Sequence, residues 1–137
     1  MNDLEVKELL SKARTIAVLG AKDKPGQAVD SVGRYLIRAG YEVIPVHPAR
    51  KNVWGLTTYP TLADIPVPVD VVDVFRAPEY CADHARETLA LSPLPSLFWM
   101  QLGIRNAEAA ELLREKNVAV VDDACLMVVH ARLFGRA

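Results

Sequence analysis

Three things are scarce in this chain of 137 residues, and each scarcity excludes something. Cysteine is limited to Cys81 and Cys125, too few for a disulfide scaffold, and with no signal-peptide pattern at the start this predicts a reducing, cytoplasmic setting. Net charge is nearly absent at -1, so no overall field draws the protein to nucleic acid or an anionic membrane, and any anion site must be local. No apolar run approaches the length needed to span a bilayer, so a soluble protein is expected. Internal repeats and low-complexity segments are also missing.

What is present is a compact globular composition, 51% apolar and 24% charged, in a length that can bury a core without metal or disulfide. This predicts one domain over residues 1–137. Thr15-Ile16-Ala17-Val18-Leu19-Gly20 is a six-residue apolar run ending on glycine, followed by Ala21-Lys22-Asp23-Lys24-Pro25-Gly26 and a helical pattern. A buried strand that turns into a helix N-terminus is where α/β proteins hold phosphates, because free backbone N–H groups and the helix dipole converge there.

The rest of the chain alternates in the same way. A leading helix runs from Asn2 to Ala13, with Asn2 or Asp3 as its cap. Val29, Val32, Gly33, Leu36 and Ile37 recur at three and four residues and stop at Gly40. Tyr41–Val46 reads as a second strand, although Pro45 cannot donate to a ladder and must lie beside a gap in pairing. Residues Ala49 to Pro68 lack a period and form a long connection over the sheet edge. Val69–Phe75 is a third strand, followed by a helix opened by Pro78 and lined by Cys81, Ala85, Thr88 and Leu89. Ser96–Gln101 is a fourth strand. Asn106 caps the next helix, Asn117–Val121 is a fifth strand, and Ala124–Leu133 is read as a helix. His84 and His130 are expected at the surface or at helix ends, with no metal-ligand spacing.

Strands alternating with helices predict a Rossmann-like, doubly wound five-stranded parallel sheet, here expected in the order 3-2-1-4-5 with the ligand at the switch point. Four strand ends converge there, carrying Gly20-Ala21-Lys22, Val46-His47-Pro48, Phe75-Arg76-Ala77-Pro78 and Gln101-Leu102-Gly103-Ile104. A dinucleotide fingerprint would place glycine at positions 22 and 25, where this chain has Lys22 and Pro25. It would also place a carboxylate after the second strand, where Val46-His47 is followed by Arg50 and Lys51. Basic or neutral groups there tolerate a ribose phosphate that a carboxylate would repel.

These segments, with Gly40-Tyr41-Glu42-Val43-Ile44-Pro45-Val46-His47-Pro48, Val69-Asp70-Val71-Val72-Asp73-Val74-Phe75-Arg76, Trp99-Met100-Gln101-Leu102-Gly103-Ile104 and Asp123-Ala124-Cys125, resemble the small stand-alone CoA-binding proteins. Their fold is similar to the N-terminal domain of succinyl-CoA synthetase alpha subunits. The resemblance runs from Thr15 to Leu133. It implies coenzyme A as ligand, with the glycine loop at the diphosphate, the end of the second strand near the ribose phosphate, and the Phe75–Pro78 loop beside the adenine. The expected contacts are therefore Gly20, Ala21, Lys22, Lys24, Pro25, Val46, His47, Pro48, Lys51, Phe75, Arg76, Ala77, Pro78, Gln101, Gly103, Ile104 and Cys125. The chain departs from the family pattern at His47, usually asparagine, at Gly26-Gln27-Ala28, where an arginine is usual, and at Ala124, also usually arginine.

No phosphohistidine domain accompanies these segments, so ligase activity is not implied. No Ser/His/Asp set or close carboxylate pair marks a hydrolase, and Cys125 is expected to be inert rather than reactive. The expected role is a CoA carrier, sensor or regulatory module without catalysis. Rival readings are an NAD(P)-binding oxidoreductase-like domain, an acyl-CoA enzyme using Cys125, and an interaction module centred on Trp54.

Overall fold

The computed structural model describes residues 1–135. Five strands, β1 (Thr15–Leu19), β2 (Glu42–Val46), β3 (Val71–Val74), β4 (Leu97–Met100) and β5 (Ala119–Val121), form one parallel sheet. Five helices surround it: α1 (Asp3–Lys12), α2 (Ala28–Arg38), α3 (Cys81–Leu89), α4 (Ala107–Arg114) and α5 (Leu126–Phe134). Asn2 starts α1 by accepting the Glu5 N–H at 2.9 Å, and Asn106 starts α4 by accepting that of Ala109 at 2.9 Å; both are ordinary N-caps.

Side chains alternate across a strand, so each strand feeds two cores. Ala17, Leu19, Val72, Val74, Phe98 and Met100 pack on α3 and α4 through Cys81, Ala85, Ala109, Ala110 and Leu113. Ile16, Val18, Val71, Leu97 and Trp99 pack on α1, α2 and α5 through Val6, Leu10, Val29, Val32, Leu36 and Leu126. With both faces covered, β1 has no polar alternation to show: all five of its residues are buried, as parallel central strands require.

The strand order is β2-β1-β3-β4-β5, which corrects the expected 3-2-1-4-5. The reason lies in Pro45 and Asp70. On the outer flank of β2, Pro45 has no N–H to offer, and its carbonyl accepts the amide of Tyr59 at 3.1 Å while the His47 N–H donates to the Tyr59 carbonyl at 3.0 Å. The long connection thus occupies the Val46 end of that edge, where a proline without a donor makes pairing with a further strand unfavourable. On the other side of β1, the Asp70 carboxylate accepts the amides of Arg14 at 2.8 Å and Thr15 at 3.0 Å, which docks the start of β3 against β1. The order reverses between β1 and β3, so the switch point lies between their carboxyl ends.

His130 is not at the surface. It is buried on α5 (4% exposed), where its Nδ1 meets the Tyr35 hydroxyl at 2.7 Å and its Nε2 the Tyr41 hydroxyl at 3.1 Å, and its ring stacks on Phe134. A buried imidazole needs partners for both nitrogens, and two tyrosines from distant parts of the chain supply them. Trp54 is half-buried instead of forming an exposed patch: its indole N–H donates to Asp30 Oδ1 at 2.9 Å.

Candidate functional site

A cavity of about 350 Å³ opens at the switch point, lined by Gly20, Lys22, Gln27, Ala28, Val29, Phe75, Arg76, Ala77 and Ile104. Its floor is set by Gly20. This residue has φ +80, and a Cβ there would stand 2.3 Å from the Phe75 carbonyl oxygen, so only glycine lets the turn after β1 pass so close to the turn after β3. The amides of Gly20 and Ala21 are already used, donating to the Val46 carbonyl at 3.0 and 3.2 Å. Gly20 therefore shapes the cavity by packing, and the free donors come from farther along the loop.

Those donors are at the start of α2. Gln27 occupies the N-cap with extended backbone and makes no side-chain capping bond, and the amides of Ala28 and Val29 have no partner among the described residues. Sequence reasoning left Gln27, Ala28 and Val29 out of the site. The signal was there in the missing Ser, Thr, Asp or Asn at the cap, since an uncapped helix start beside a loop is a vacancy for an external anion.

Positive charge gathers at the same mouth. Lys22 and Arg76 line the cavity. His47, at the end of β2, is held below the usual imidazole range, first by partial burial and then by the charges of Arg50, Lys22 and Arg76. Three cations therefore crowd one neutral ring. His47 Nδ1 accepts the amides of Ala49 at 3.0 Å and Arg50 at 2.9 Å, which leaves the ring proton on Nε2. Arg50 also pairs with Asp23 at 3.8 Å, tying the loop after β1 to the loop after β2.

Arg76 makes no ion pair with Asp73 among the described residues. Asp73 is fully buried, and neither of its carboxylate oxygens has a hydrogen-bond partner among the described residues. Burial pushes its carboxyl well above the usual carboxylate range, which favours its neutral, protonated form. Arg76 instead stacks over Tyr80, 4.8 Å from guanidinium carbon to ring centroid.

Of the expected contacts, Gly20, Lys22, Phe75, Arg76, Ala77 and Ile104 line the cavity. Ala21 and Val46 are buried beneath it. Lys24, Pro25, Pro48, Lys51 and Pro78 are exposed on the surrounding loops, and His47 is half-buried among them. Gln101 is buried, and its Oε1 accepts the Leu126 N–H at 3.2 Å, so it caps α5 from below. The exposed Gly103 donates its amide to Asp123 at 2.7 Å. Cys125 is the half-buried N-cap of α5. Among the described residues no group of His, Cys, Asp or Glu could hold a metal ion, and no helix is long and apolar enough to cross a membrane.

A parallel sheet whose switch point carries an uncapped helix start, a close-approach glycine and several cations defines a Rossmann-like protein with chemistry there suited to an anion. A family model for the CoA binding domain matches residues 14–131, and the chain belongs to that family. A Bacillus subtilis relative, YneT, is 38% identical over 127 residues, which is 93% of each chain. Among solved structures, cell-free ID.343 from Thermus thermophilus is 46% identical with a TM-score of 0.91, covering 98% of this chain and 100% of its own. A Pyrococcus horikoshii protein is 32% identical with a TM-score of 0.93, covering 98% and 94%.

Proposed function

We propose that the protein binds coenzyme A, free or acylated, at the β1–β3 switch point and serves as a carrier, sensor or regulatory module without chemistry of its own. The observation that carries this reading is the uncapped start of α2 facing a cavity that Lys22 and Arg76 also line. The diphosphate sits on the Ala28 and Val29 amides with Lys22 and Arg76 beside it, where charge-assisted bonds are strongest. The adenine lies against Phe75, Ala77 and Ile104, and the ribose phosphate points toward His47, Arg50 and Lys51. The absence of a carboxylate after β2 favours a phosphorylated ribose over the free hydroxyls of NAD.

Thermal melts with three ligands test this. A ligand at one hundred times its dissociation constant stabilises the native state by about 2.7 kcal/mol. CoA is expected to produce that shift, dephospho-CoA a smaller one and NAD little or none. If NAD stabilises the protein as much as CoA, the oxidoreductase-like reading replaces this one.

A further inference from the structure

A chain of hydrogen bonds leads out of the cavity. Arg76 Nε–H donates to His84 Nε2 at 3.4 Å, His84 Nδ1 meets Glu87 Oε1 at 3.0 Å, and Glu87 Oε2 accepts the Leu62 N–H at 3.1 Å. We infer that His84 and Glu87 are positioning residues for Arg76, holding its guanidinium at the cavity mouth so that its outer edge meets the ligand's phosphate; the inference rests on the CoA reading above.

The direction of every bond in this chain follows from its ends. Arginine has no acceptor, so His84 Nε2 must present a lone pair, and the ring proton must then lie on Nδ1 and point at the Glu87 carboxylate. Glu87 is held below the usual carboxylate range, mainly by its bond to His84 and also by the Leu62 amide, against the opposing effect of burial. Leu62 is itself fully buried, and the turn that contains it is closed by a reciprocal cap between Thr61 and Asp64. The far end of the chain is therefore anchored to the core.

The near end is left free to work. Arg76 Nε goes to His84 and the guanidinium face rests on Tyr80. The two Nη groups make no hydrogen bond or ion pair among the described residues. A guanidinium fixed at Nε and on one face presents its Nη pair to a phosphate with less conformational entropy left to lose. The seat of α3 does not depend on the pair, because the helix is held by its buried residues Cys81, Ala82, Ala85 and Thr88, while the His84 and Glu87 side chains are about a quarter exposed (21% and 27%).

A double-mutant cycle by titration calorimetry with CoA decides the matter. His84→Ala and Arg76→Ala are each expected to weaken binding about tenfold, and the double variant to bind no more weakly than Arg76→Ala alone. His84→Gln, whose amide oxygen can take the place of the Nε2 lone pair, is expected to keep most of the affinity. Additive losses in the cycle, or parental affinity in His84→Ala, would overturn the proposal. The imidazole ¹⁵N shifts of the ligand-free parent give a readout that does not depend on CoA at all: protonation at Nδ1 is expected, and protonation at Nε2 overturns the chain even if CoA binds. A parent that shows the expected tautomer but binds no CoA would sink the ligand reading and leave the chain standing.

Discussion

The indole of Trp54 lies on the bare Cα of Gly33: a Cβ at that glycine would stand 2.2 Å from two of the ring carbons. Gly33 is in the middle of α2, where glycine has a conformational cost, and here that cost admits an aromatic ring from the connection after β2. Trp54 is itself held at φ 55 and bonds through its indole N–H to Asp30 and through its backbone N–H to Asp23 at 3.4 Å. The ring thus clamps the 50–56 segment to both the helix and the loop that border the cavity.

Gly33→Ala is expected to lower stability by about 1–3 kcal/mol, because the ring must leave or the helix must shift. The melting temperature should fall and the tryptophan emission should move to the red as Trp54 meets water. A variant with parental melting and emission would show that the clamp is not built this way.

His47 gives a pH dependence whose sign is fixed. Its value in the fold lies below the ordinary imidazole value of about 6.5 because of burial and the Arg50, Lys22 and Arg76 charges. A base depressed in the folded state binds fewer protons than in the unfolded chain, so its contribution to stability is intact above about 6.5 and is lost as pH falls through the folded value. A phosphate among the three cations offsets their repulsion and raises the value again. CoA binding near pH 6 is therefore expected to take up a proton, visible as a binding enthalpy that varies with the ionisation enthalpy of the buffer. Equal enthalpies in all buffers would contradict this.

Asp73 works in the opposite direction. It is an acid raised by burial, so between the unfolded value of about 4 and its higher folded one unfolding releases a proton, and over that range it costs stability as pH rises. Asp73→Asn is expected to melt higher than the parent at pH 7, with the advantage shrinking toward pH 4. A variant that is less stable at pH 7 would mean that the carboxylate has a charged partner there.

Cys125 stands at the N-cap of α5 without making a capping bond. Serine is a good N-cap residue, so Cys125→Ser is expected to stabilise the fold by about 1 kcal/mol while leaving CoA affinity unchanged. Incubation with oxidised CoA and intact-mass measurement examines the same position differently: an adduct on the parent that is lost in the serine variant would make the thiol reactive after all.

The elements of this fold are largely written in local patterns. Thr15–Leu19 reads as a buried strand because every residue is apolar or β-branched, and Ala28–Arg38 reads as a helix because its apolar positions recur at three and four. Strand order was not legible in that way, since it depends on Asp70 reaching amides 55 and 56 residues earlier and on Tyr59 pairing with Pro45. The site divides along the same line. Gly20, Lys22 and Arg76 sit at predictable strand ends, whereas the unpartnered Ala28 and Val29 amides depend on a capping bond that Gln27 does not make. The burial of His130 is not legible locally, because its helical spacing from Leu126 shows which face it occupies, but its tyrosine partners come from α2 and from the residue just before β2.

Pro45 and Tyr59 also govern how copies of the sheet could meet. The Val46 end of the β2 flank is bridged by the chain's own connection at Tyr59, whereas the outer side of β5 carries no such bridge among the described residues. A sheet with two open edges can add neighbours without end, whereas one with a single open edge can pair only once, edge to edge about a two-fold axis. Strand addition at the Val46 end of β2 is therefore obstructed by a proline that offers no donor and by a tyrosine backbone already in place, which disfavours fibre growth by this route.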